Sequence, residues 1–373
     1  MQRPIVSVIT ITYNHEQYIK QALDSILSQV GDNFELELIV ADDASTDGTQ
    51  AIIKRYEKKY PNIIKPILRR RNRGIQLNLI DALKRAKGKY IALCEGDDYW
   101  INTQKLSRQI ALLESDNSIN ISFHPTKVFF DDGSYPDSKY PMGRVDFTPE
   151  RLMTENFIPT NSVVYRRTSY RAIKSSLMPF DWYLHAYHLK EGRIGFMSQV
   201  MSAYRRHRGG AWWNSHGDSA RFWADYGPDM LGVLKECREI FAGNAIMMRG
   251  ISKGEFRIIN EMFDHSVDID KFIVSKGLLA EYIIEAMSVL RDLRLASQKA
   301  EQEHEDVASH LSLENTQKSE EIELLKRDLA TYQGALTATQ RDYDSLRRDL
   351  KRPLGILRRI GGRIVRGGYL LKW

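Results

Sequence analysis

The apolar positions of the first hundred residues follow two alternating periods. Segments with β-branched residues at every second position predict strands, and segments with apolar residues three and four positions apart predict amphipathic helices. The predicted strands cover residues 5–12, 36–40, 63–68 and 90–94, and the predicted helices cover residues 16–29, 49–56 and 77–86. Asn14 is the expected N-cap of the first helix, and Trp100 is the expected start of a fourth. Strands that alternate with helices in this way predict βαβ units and a mostly parallel sheet.

Polar clusters directly follow three of these strands. They are Thr12-Tyr13, Asp42-Asp43 and Asp97-Asp98. Right-handed crossovers bring the carboxyl ends of parallel strands to one edge of a sheet, where open α/β sheets bind ligands. The adjacent carboxylates of Asp97 and Asp98 repel each other unless a cation lies nearby, and hard divalent cations take oxygen ligands. The pair therefore predicts a cation that holds a ligand phosphate, and the alternative is a solvated turn at the start of a helix.

The pattern is less regular between residues 119 and 215. Asp131-Asp132-Gly133 is expected to be a turn. Asp181 follows Pro179 near the start of a predicted helix, so it is either a helix cap or a functional carboxylate. Strands are expected at residues 119–130, 157–167 and 195–203, and a loop over the site at residues 134–150.

Composition narrows the class of protein. The chain has 373 residues, of which 42% are hydrophobic and 27% charged, as in soluble globular proteins with one large or two ordinary domains. Its two cysteines, Cys94 and Cys237, lie in apolar or helical patterns and are expected to be reduced core residues. The N-terminal segment lacks the pattern of a signal peptide, and no apolar run reaches the length of a membrane span.

The net charge of +6 is concentrated at one end of the chain. Residues 351–373 carry seven lysines and arginines and no acid, so the rest of the chain is close to neutral. This distribution argues against a generally basic nucleic-acid-binding protein. Apolar residues are interspersed with the cations of this tail, a composition that suits an anionic membrane surface. A disordered tail and a tail that binds RNA non-specifically are the alternatives.

Helical patterns dominate the chain after residue 215. Residues 219–242 and 255–295 predict helices, separated by a break at Gly250 to Gly254. Apolar residues between 322 and 350 alternate spacings of three and four, which predicts a coiled coil that self-associates, with a solitary helix folded on the body as the alternative. The expected domains are an α/β domain over 1–215, a helical appendage over 216–296, a coiled coil over 297–351 and a basic amphipathic tail over 352–373.

Four motifs occur in order along the predicted α/β domain. They are VSVITITYNHEQYI, ADDASTDGT, RNRGIQLN and GKYIALCEGDDYW. In order and spacing they resemble the motifs of glycosyltransferase family 2, whose members have the GT-A fold, a Rossmann-like and mostly parallel sheet flanked by helices. The resemblance covers about residues 4–210 and implies that residues 1–215 are a GT-A catalytic domain. The sequence has no Gly-rich dinucleotide fingerprint and no phosphate-loop lysine motif, which disfavours dehydrogenases and kinases.

The resemblance implies roles for the polar clusters. Ile11 and Tyr13 match the segment that cups the nucleoside base, and Asp43 matches the carboxylate that hydrogen-bonds the base, usually uracil. Asp97 matches a carboxylate near the ribose, and Asp98 matches the ligand of a divalent cation, Mn²⁺ or Mg²⁺, on the diphosphate. Because this sequence has Gly-Asp-Asp where other members have Asp-any-Asp, Asp97 fits either role.

Two further segments match the acceptor side of the family's site. Asp181 matches the general base, which takes the proton of the acceptor hydroxyl in an inverting transfer. The segment Tyr204-Arg205-Arg206-His207 resembles the family's Tyr-Arg-any-His. There His207 would ligate the metal or contact the diphosphate, and Arg205 would support Asp181 or the phosphates.

These features predict an inverting, metal-dependent glycosyltransferase that takes a sugar from a nucleotide-diphosphate donor, expected to be a UDP-sugar. We expect transfer of a hexosyl or N-acetylhexosaminyl group to a glycan or lipid-linked acceptor in bacterial surface polysaccharide synthesis. The expected location is the cytoplasm, with the tail on the inner face of the cell membrane, a homo-oligomer through the coiled coil and no specific nucleic acid. One alternative is a non-catalytic scaffold built on a degenerate transferase domain. Another is a nucleotidyltransferase, which would normally have a Gly-rich segment after the first strand, and this sequence lacks one.

Overall fold

The computed structural model describes residues 3–141, 146–190, 192–210 and 218–265, and isolated helical positions between 326 and 341. Packing divides the chain into two compact units, Met1–Gly254 and Glu255–Trp373, and the first contains every predicted site residue. The predicted coiled coil over 297–351, apart from those isolated positions, and the tail over 352–373 lie outside the described residues.

Strands and helices alternate along the first unit, as the apolar periods predict. The strands are β1 Ile5–Thr12, β2 Glu35–Asp42, β3 Ile64–Leu68, β4 Tyr90–Leu93, β5 Tyr99–Trp100, β6 Ile119–Phe123, β7 Thr126–Phe130, β8 Ser138–Tyr140, β9 Val164–Arg166, β10 Arg193–Phe196 and β11 Ser202–Arg206. The helices are α1 Ile19–Leu27, α2 Thr49–Lys59, α3 Ile75–Arg85, α4 Lys105–Ser115, α5 Pro149–Thr154, α6 Phe180–Leu189, α7 Ser219–Ile240 and α8 Ala245–Asp264, with a 3-10 turn at Thr160–Ser162.

The larger sheet has the strand order β10-β6-β9-β4-β1-β2-β3. β4, β1, β2 and β3 are parallel to one another, β9 runs antiparallel to both β4 and β6, and β10 is parallel to β6. Of these seven strands β9 alone is reversed, which confirms the predicted mostly parallel α/β fold. The carboxyl ends of β1, β2, β4 and β6 therefore lie at one edge of the sheet.

Helices cover the sheet with apolar side chains. Alternate residues of β1, such as Val6 and Val8, are buried in one cluster with residues of β2 and β4 and with Ile19 and Leu23 of α1. Removing an aliphatic side chain of this size from water stabilises the fold by about 1.5–3 kcal/mol. Burial on this scale holds the strands in register, so the loops at their carboxyl ends start from a rigid base.

The start of α1 differs from the prediction. The helix begins at Ile19 rather than near residue 16, and its N-cap is Tyr18, not Asn14. Asn14 has a φ of 57°, its backbone N–H donates to Oγ of Ser45 at 2.8 Å, and its Oδ1 accepts from the N–H of Thr46 at 2.8 Å. Asn14 therefore joins the loops after β1 and β2, because its side chain finds backbone partners across the edge of the sheet.

A second sheet, with the order β5-β11-β7-β8, corrects two further predictions. Trp100 belongs to β5, which pairs antiparallel with β11, and the next helix begins only at Lys105. Residues 119–130 form two strands in different sheets rather than one, since the chain passes from β6 to β7 at His124-Pro125.

Other boundaries also differ from the sequence pattern. Residues 157–167 contain a 3-10 turn before the short β9, residues 195–203 are divided between β10 and β11, and residues 134–150 include β8 and the start of α5. Helix α8 is continuous through Gly250 and Gly254, where a break was expected. A Cβ atom at these glycines would lie 2.3 Å from the carbonyl oxygens of Glu150 and Met153, so the glycines allow close packing on α5. Among the described helices, none has the length and apolar character needed to cross a membrane.

Candidate active site

Three side chains from three loops meet at the carboxyl edge of the sheet. His15 follows β1, Asp97 lies between β4 and β5, and His207 follows β11. Nε2 of His207 is 3.1 Å from Oδ2 of Asp97, and Nε2 of His15 is 3.8 Å from the same oxygen. One ligand atom from each residue lies within 4.8 Å of the other two. We call this group the His-Asp-His cluster.

The turn at Gly96 permits this approach. Its N–H donates to the carbonyl oxygen of Ile11 at 2.9 Å, which ties the turn to β1. A Cβ atom at Gly96 would lie 2.8 Å from Oγ1 of Thr12, closer than real Cβ atoms come, and in a tight contact of 3.0 Å with Nδ1 of His15. Any side chain at this position would therefore displace His15 or the turn that carries Asp97.

The surroundings of the cluster lower the pKa of both His15 and Asp97. Burial lowers the pKa of His15, although the negative charge of Asp97 opposes this effect. Burial acts to raise the pKa of Asp97, but the hydrogen bond with His207 and the charge of His15 outweigh it, so that pKa is lowered. The N–H of Gly209 donates to Nδ1 of His207 at 3.3 Å, which turns Nε2 toward Asp97. Neutral imidazole and ionised carboxylate are the forms that bind metal ions.

A carboxylate with two imidazoles fits a divalent first-row metal ion. At metal–ligand distances of about 2.0–2.2 Å, neighbouring ligands of one ion lie roughly 3 Å apart. The separations of 3.1 Å and 3.8 Å from Oδ2 of Asp97 lie near this value. The donor set of His15, Asp97 and His207 therefore suits a bound cation.

Asp98 points away from the His-Asp-His cluster. It is 1% exposed, its Oδ1 accepts from the N–H of Arg205 at 2.9 Å, and its Oδ2 accepts from Nδ2 of Asn161 at 2.8 Å. Burial, then the charges of Asp97 and Glu95, raise the pKa of Asp98 well above its usual range. Both oxygens of Asp98 thus accept hydrogen bonds from the protein, whereas Oδ2 of Asp97 lies beside the two histidines.

Arg205 contacts the turn that carries Asp97. Its Nε donates to the carbonyl oxygen of Asp97 at 2.9 Å, and its Nη2 donates to Oε1 of Gln21 at 2.7 Å. It also forms an ion pair with Asp131, which accepts a 2.9 Å hydrogen bond from the hydroxyl of Tyr18. Asp131, which was expected only to form a turn, thus makes tertiary contacts. It can do so because β7 and β11 are neighbours in the second sheet.

Asp43 lies at the end of β2 and joins two of the four sequence motifs. It is 4% exposed, and its two oxygens accept from the backbone N–H groups of Arg73 and Gly74 at 2.9 Å and 2.8 Å. Nε of Arg69 lies 3.8 Å from Oδ1 of Asp43, and Arg69 also binds Asp81 at 2.6 Å. A carboxylate has about four acceptor positions, so these contacts leave room for one to a base.

Ile11 and Tyr13 lie at the end of β1, on the same edge as Asp43. Ile11 is partly buried, whereas the side chain of Tyr13 is 46% exposed. An exposed aromatic ring beside a buried carboxylate provides a stacking surface next to a hydrogen-bond acceptor. This arrangement suits a planar heterocycle, as predicted for Ile11, Tyr13 and Asp43.

Asp181 lies in the first turn of α6, whose N-cap is Pro179. Its Oδ2 accepts from Nδ2 of Asn156 at 3.0 Å and from Oγ1 of Thr160 at 3.4 Å, and its Oδ1 accepts from the N–H of Trp182 at 2.9 Å. Burial raises the pKa of Asp181, and these three hydrogen bonds partly oppose it. A buried carboxylate with a raised pKa is a suitable proton acceptor.

Glu95 was not predicted from the sequence. It lies two residues before Asp97 and is partly exposed, and the described residues donate no hydrogen bond to its carboxylate. Burial raises the pKa of Glu95 to about 8, with smaller contributions from the charges of Asp97 and Asp181. The charges of Asp97 and Asp181 therefore both act on Glu95. The spacing Glu95-Gly96-Asp97 is an acid-any-acid pattern, and it could have identified Glu95.

Comparison with known proteins places these features in a family. An uncharacterised protein of Mycobacterium tuberculosis is 43% identical over 242 residues, which are 64% of this chain and 69% of the relative. A Bacillus subtilis protein named as a teichuronic acid biosynthesis glycosyltransferase is 34% identical over 150 residues, 40% of this chain and 55% of the relative. The chain therefore spans about half the length of this second relative.

Solved structures show the same fold. S. aureus TarS, residues 1–349 in complex with UDP, matches with a TM-score of 0.50 and 20% identity, over 72% of this chain and 74% of that one. A mannosyltransferase of Pyrobaculum calidifontis matches with a TM-score of 0.50 and 15% identity, over 76% and 83% of the two chains. The predicted GT-A fold is confirmed. The model of the glycosyl transferase family 2 matches residues 7–207, more than half of the chain, and the protein therefore belongs to this family of glycosyltransferases.

Proposed function

We propose that this glycosyltransferase is metal-dependent and inverting, and that it moves a sugar from a nucleoside diphosphate to an acceptor hydroxyl. The observation that carries the proposal is the arrangement of three groups around one edge of the sheet. Asp43 follows β2, the His-Asp-His cluster lies at the ends of β1, β4 and β11, and Asp181 lies in the first turn of α6, where its charge acts on Glu95 two residues before Asp97. This order suits a base, a diphosphate and an acceptor in sequence.

The donor is proposed to be a UDP-sugar. Its base would stack on Tyr13 beside Ile11 and donate a hydrogen bond to Asp43. Because an ionised carboxylate only accepts hydrogen bonds, Asp43 favours a base with an N–H donor, such as uracil. S. aureus TarS has been solved with UDP and with UDP-GlcNAc, and the Pyrobaculum enzyme with GDP-Man and Mn²⁺. These neighbours support a nucleotide-sugar donor for the shared fold.

The cation is proposed to be held by Asp97, His15 and His207 and to be Mn²⁺ rather than Mg²⁺, because Mg²⁺ prefers oxygen ligands. When bound, it would supply Lewis-acid stabilisation of the negative charge on the diphosphate leaving group. This assignment replaces Asp98 by Asp97 as the metal-binding carboxylate. Asp98 would instead hold the turn through Asn161 and Arg205.

Asp181 is proposed to be the general base. It would take the proton of the acceptor hydroxyl as the hydroxyl oxygen attacks the anomeric carbon and the bond from that carbon to the diphosphate breaks. A single displacement of this kind inverts the anomeric centre. Asn156 and Thr160 orient the carboxylate through Oδ2, and the N–H of Trp182 holds Oδ1. One base suffices because the leaving group departs as a diphosphate and needs no proton.

The acceptor is proposed to be a glycan or lipid-linked chain of the bacterial cell surface, receiving a hexosyl or N-acetylhexosaminyl group. Relatives named for teichuronic acid biosynthesis and as a poly(ribitol-phosphate) beta-glucosyltransferase support this class of acceptor. The second is 28% identical over 191 residues, which are 48% of this chain and 30% of that Bacillus spizizenii protein. The enzyme is proposed to act in the cytoplasm, on the inner face of the membrane. The tail would anchor it there, and the coiled coil would mediate oligomerisation.

Thermal unfolding with a panel of nucleoside diphosphates tests the donor site. We expect UDP with Mn²⁺ to raise the unfolding midpoint, since a ligand at about 100 times its Kd stabilises a protein by about 2.7 kcal/mol. The shift should disappear when Mn²⁺ is omitted and in D97N. The surface variant D225N, which alters an exposed ion pair with Arg221, is the matched control. Absence of a shift with every nucleotide would contradict the proposal and favour the scaffold.

A further inference from the structure

Lys105 is a buried cation in the first turn of α4. Its side chain is 0% exposed, and Nζ donates to Oε1 of Gln109 at 2.8 Å. The same Nζ lies 4.2 Å from the ring centroid of Trp100, a cation–π distance. No carboxylate in the described part of the chain forms an ion pair with it. A buried charge without a counter-ion opposes folding. The contacts with Gln109 and Trp100 therefore have to offset the cost of burying this ammonium.

A series of contacts connects Trp100 to the turn that carries the predicted metal-binding carboxylate. The indole N–H of Trp100 donates to the carbonyl oxygen of Asn161 at 2.9 Å. Nδ2 of Asn161 donates to Oδ2 of Asp98 at 2.8 Å, and Oδ1 of Asp98 accepts from the N–H of Arg205 at 2.9 Å. Arg205 in turn donates to the carbonyl oxygen of Asp97. Every link in this series is buried or nearly so.

Gln109 fixes the other side of Lys105. Its amide nitrogen donates to the carbonyl oxygens of Ser122 at 3.0 Å and Ser162 at 2.9 Å. These partners belong to β6 and to the 3-10 turn that also contains Asn161. Because the amide nitrogen is used in this way, Oε1 is left to face the ammonium of Lys105. The lysine is therefore held between α4, β5 and the turn at 160–162.

We propose that Lys105 is a positioning residue for the active site: its ammonium, oriented by Gln109, holds the indole of Trp100 so that Asn161 and Asp98 keep the Asp97 turn in place. This inference rests on the proposed function for its effect on catalysis. Its structural content, a charge-dependent position of Trp100, stands independently. Lys105 itself touches none of the three residues of the His-Asp-His cluster.

The chemistry around Lys105 makes its charge adjustable near neutral pH. Burial lowers the pKa of Lys105 to about 7. The titratable groups whose charges interact with it are the thiol of Cys94, whose pKa burial raises, and the imidazole of His124, whose pKa burial lowers. Both are neutral near pH 7, so the ammonium itself is the group that changes charge there. A neutral amine loses the cation–π attraction to Trp100.

The first test follows Trp100 directly. The full chain is labelled with 5-fluorotryptophan, and the ¹⁹F signal of Trp100 is assigned by its loss in W100F. We expect this signal to titrate with a midpoint near pH 7 in the wild type and not in K105M, which keeps an apolar chain but removes the charge. The exposed variant K84M is the matched control and should titrate like the wild type. A signal in K105M that titrates as before would overturn the proposal.

The second test measures the affinity of the full chain for Mn²⁺ alone. Residues behind metal ligands typically change affinity by 10–100-fold, and we expect K105M to weaken Mn²⁺ binding about tenfold at pH 6. W100F keeps a ring for the ammonium but lacks the indole donor, so it should weaken binding similarly. The double variant should add little to either change, because the two residues act in one series. Additive losses, or unchanged affinity in both single variants, would contradict the inference.

Two results separate this inference from the proposed function. If the wild type binds no Mn²⁺, the metal proposal fails, while the ¹⁹F titration still decides whether Lys105 positions Trp100. If K105M does not fold, the pH titration of the Trp100 signal in the wild type and the Mn²⁺ affinity of W100F test the proposal instead. A wild-type Trp100 signal that is unchanged from pH 5.5 to 8.5 would reject the role of Lys105 even if Mn²⁺ binds as proposed.

Discussion

At the scale of single residues, two adjacent carboxylates differ in which groups they face. The side chain of Asp97 is 16% exposed, whereas Asp98 is 1% exposed and has partners for both oxygens. The sequence placed both in the site but assigned the metal to Asp98. The orientation follows from Gly96 and Arg205, whose contacts come from residues more than 80 positions apart in sequence.

Substitution of each carboxylate by its amide should separate the two roles. We expect D97N to lose Mn²⁺ binding and to reduce turnover by at least about 100-fold, since metal-assisted charge stabilisation is worth several kcal/mol, with an unchanged unfolding midpoint. D98N places an NH₂ group opposite a buried N–H donor, which costs about 1–3 kcal/mol, and should lower the midpoint instead. Mn²⁺ titration and thermal unfolding measure both effects. A D98N variant with wild-type stability and no metal binding would reassign the ligand to Asp98.

Asp181 should give the acid limb of the pH–rate profile. Burial raises its pKa, and a base works only when ionised, so turnover should fall as the pH drops through a pKa above that of an ordinary aspartate. In N156A the carboxylate loses a donor that stabilises its charged form, so its pKa should rise and the limb should move to higher pH. Turnover measured from pH 4 to 8 at saturating donor checks this prediction.

The control for this profile is D181N, which should lower turnover by about 10²–10⁴-fold. Its UDP-induced thermal shift should remain, because the base does not touch the nucleotide. An acid limb in N156A at the same pH as in the wild type would contradict the assignment of Asp181. Loss of the UDP shift in D181N would instead indicate that Asp181 supports the donor site.

At the scale of elements, the site is built where two sheets meet. β5 pairs with β11, and this pairing brings His207 beside the Asp97 turn at the end of β4. Helix α6 is fixed by His185, whose ring nitrogens lie 2.6 Å from the hydroxyl of Tyr165 and 3.2 Å from the carbonyl oxygen of Ile158. Burial lowers the pKa of His185 to about 3, so it packs as a neutral ring. Sequence periodicity gave no sign of either arrangement.

The Gly96 turn allows a test of this junction. We expect G96A to weaken Mn²⁺ binding and to lower the free energy of unfolding by about 1–3 kcal/mol, because the new methyl group would overlap Thr12 and His15. Denaturant unfolding and Mn²⁺ titration measure the two effects. G232A is the matched control: nothing lies within 4 Å of a Cβ there, in the middle of α7. It should stabilise the protein by about 0.5–1 kcal/mol. Normal metal binding in G96A would contradict the packing argument.

At the scale of the whole molecule, one compact unit extends beyond the predicted catalytic domain. Helix α7 packs on α6, and Glu236 of α7 forms an ion pair with Lys174, so residues after 215 contribute to the same unit as the site. Residues 218–254 are thus placed to support the helix that carries Asp181. The boundaries proposed from composition at 215, 296 and 351 stay predictions, as do the coiled coil and the tail.

Removal of residues 352–373 tests the proposed membrane contact of the whole protein. We expect the shortened chain to lose most of its binding to vesicles that contain anionic lipid, because each cation near such a surface contributes about 1 kcal/mol. Co-sedimentation at low and high salt is the measurement, with neutral vesicles as the control. Equal binding of the two proteins to anionic vesicles would exclude the tail as the anchor.

The fold class was accessible from the sequence because it depends on local pattern. Strands and helices of the first hundred residues follow from the alternation of β-branched and amphipathic segments, and the short connections between them restrict the topology. Motif order then identified the family. The segment 119–130 was read as one strand because periodicity reports alternation and cannot reveal that the chain changes sheets at His124-Pro125.

The sequence by itself determined that polar clusters end three strands of one parallel sheet, and it predicted, through the family resemblance, that carboxylates and His207 form the site. The tertiary structure alone decided that Asp97 faces the two histidines while Asp98 is buried against Asn161, and that His15 belongs with them. The physical reason is that side-chain direction in a turn depends on its packing and hydrogen-bond partners. Those partners come from distant segments, and a one-dimensional pattern contains no distance between them.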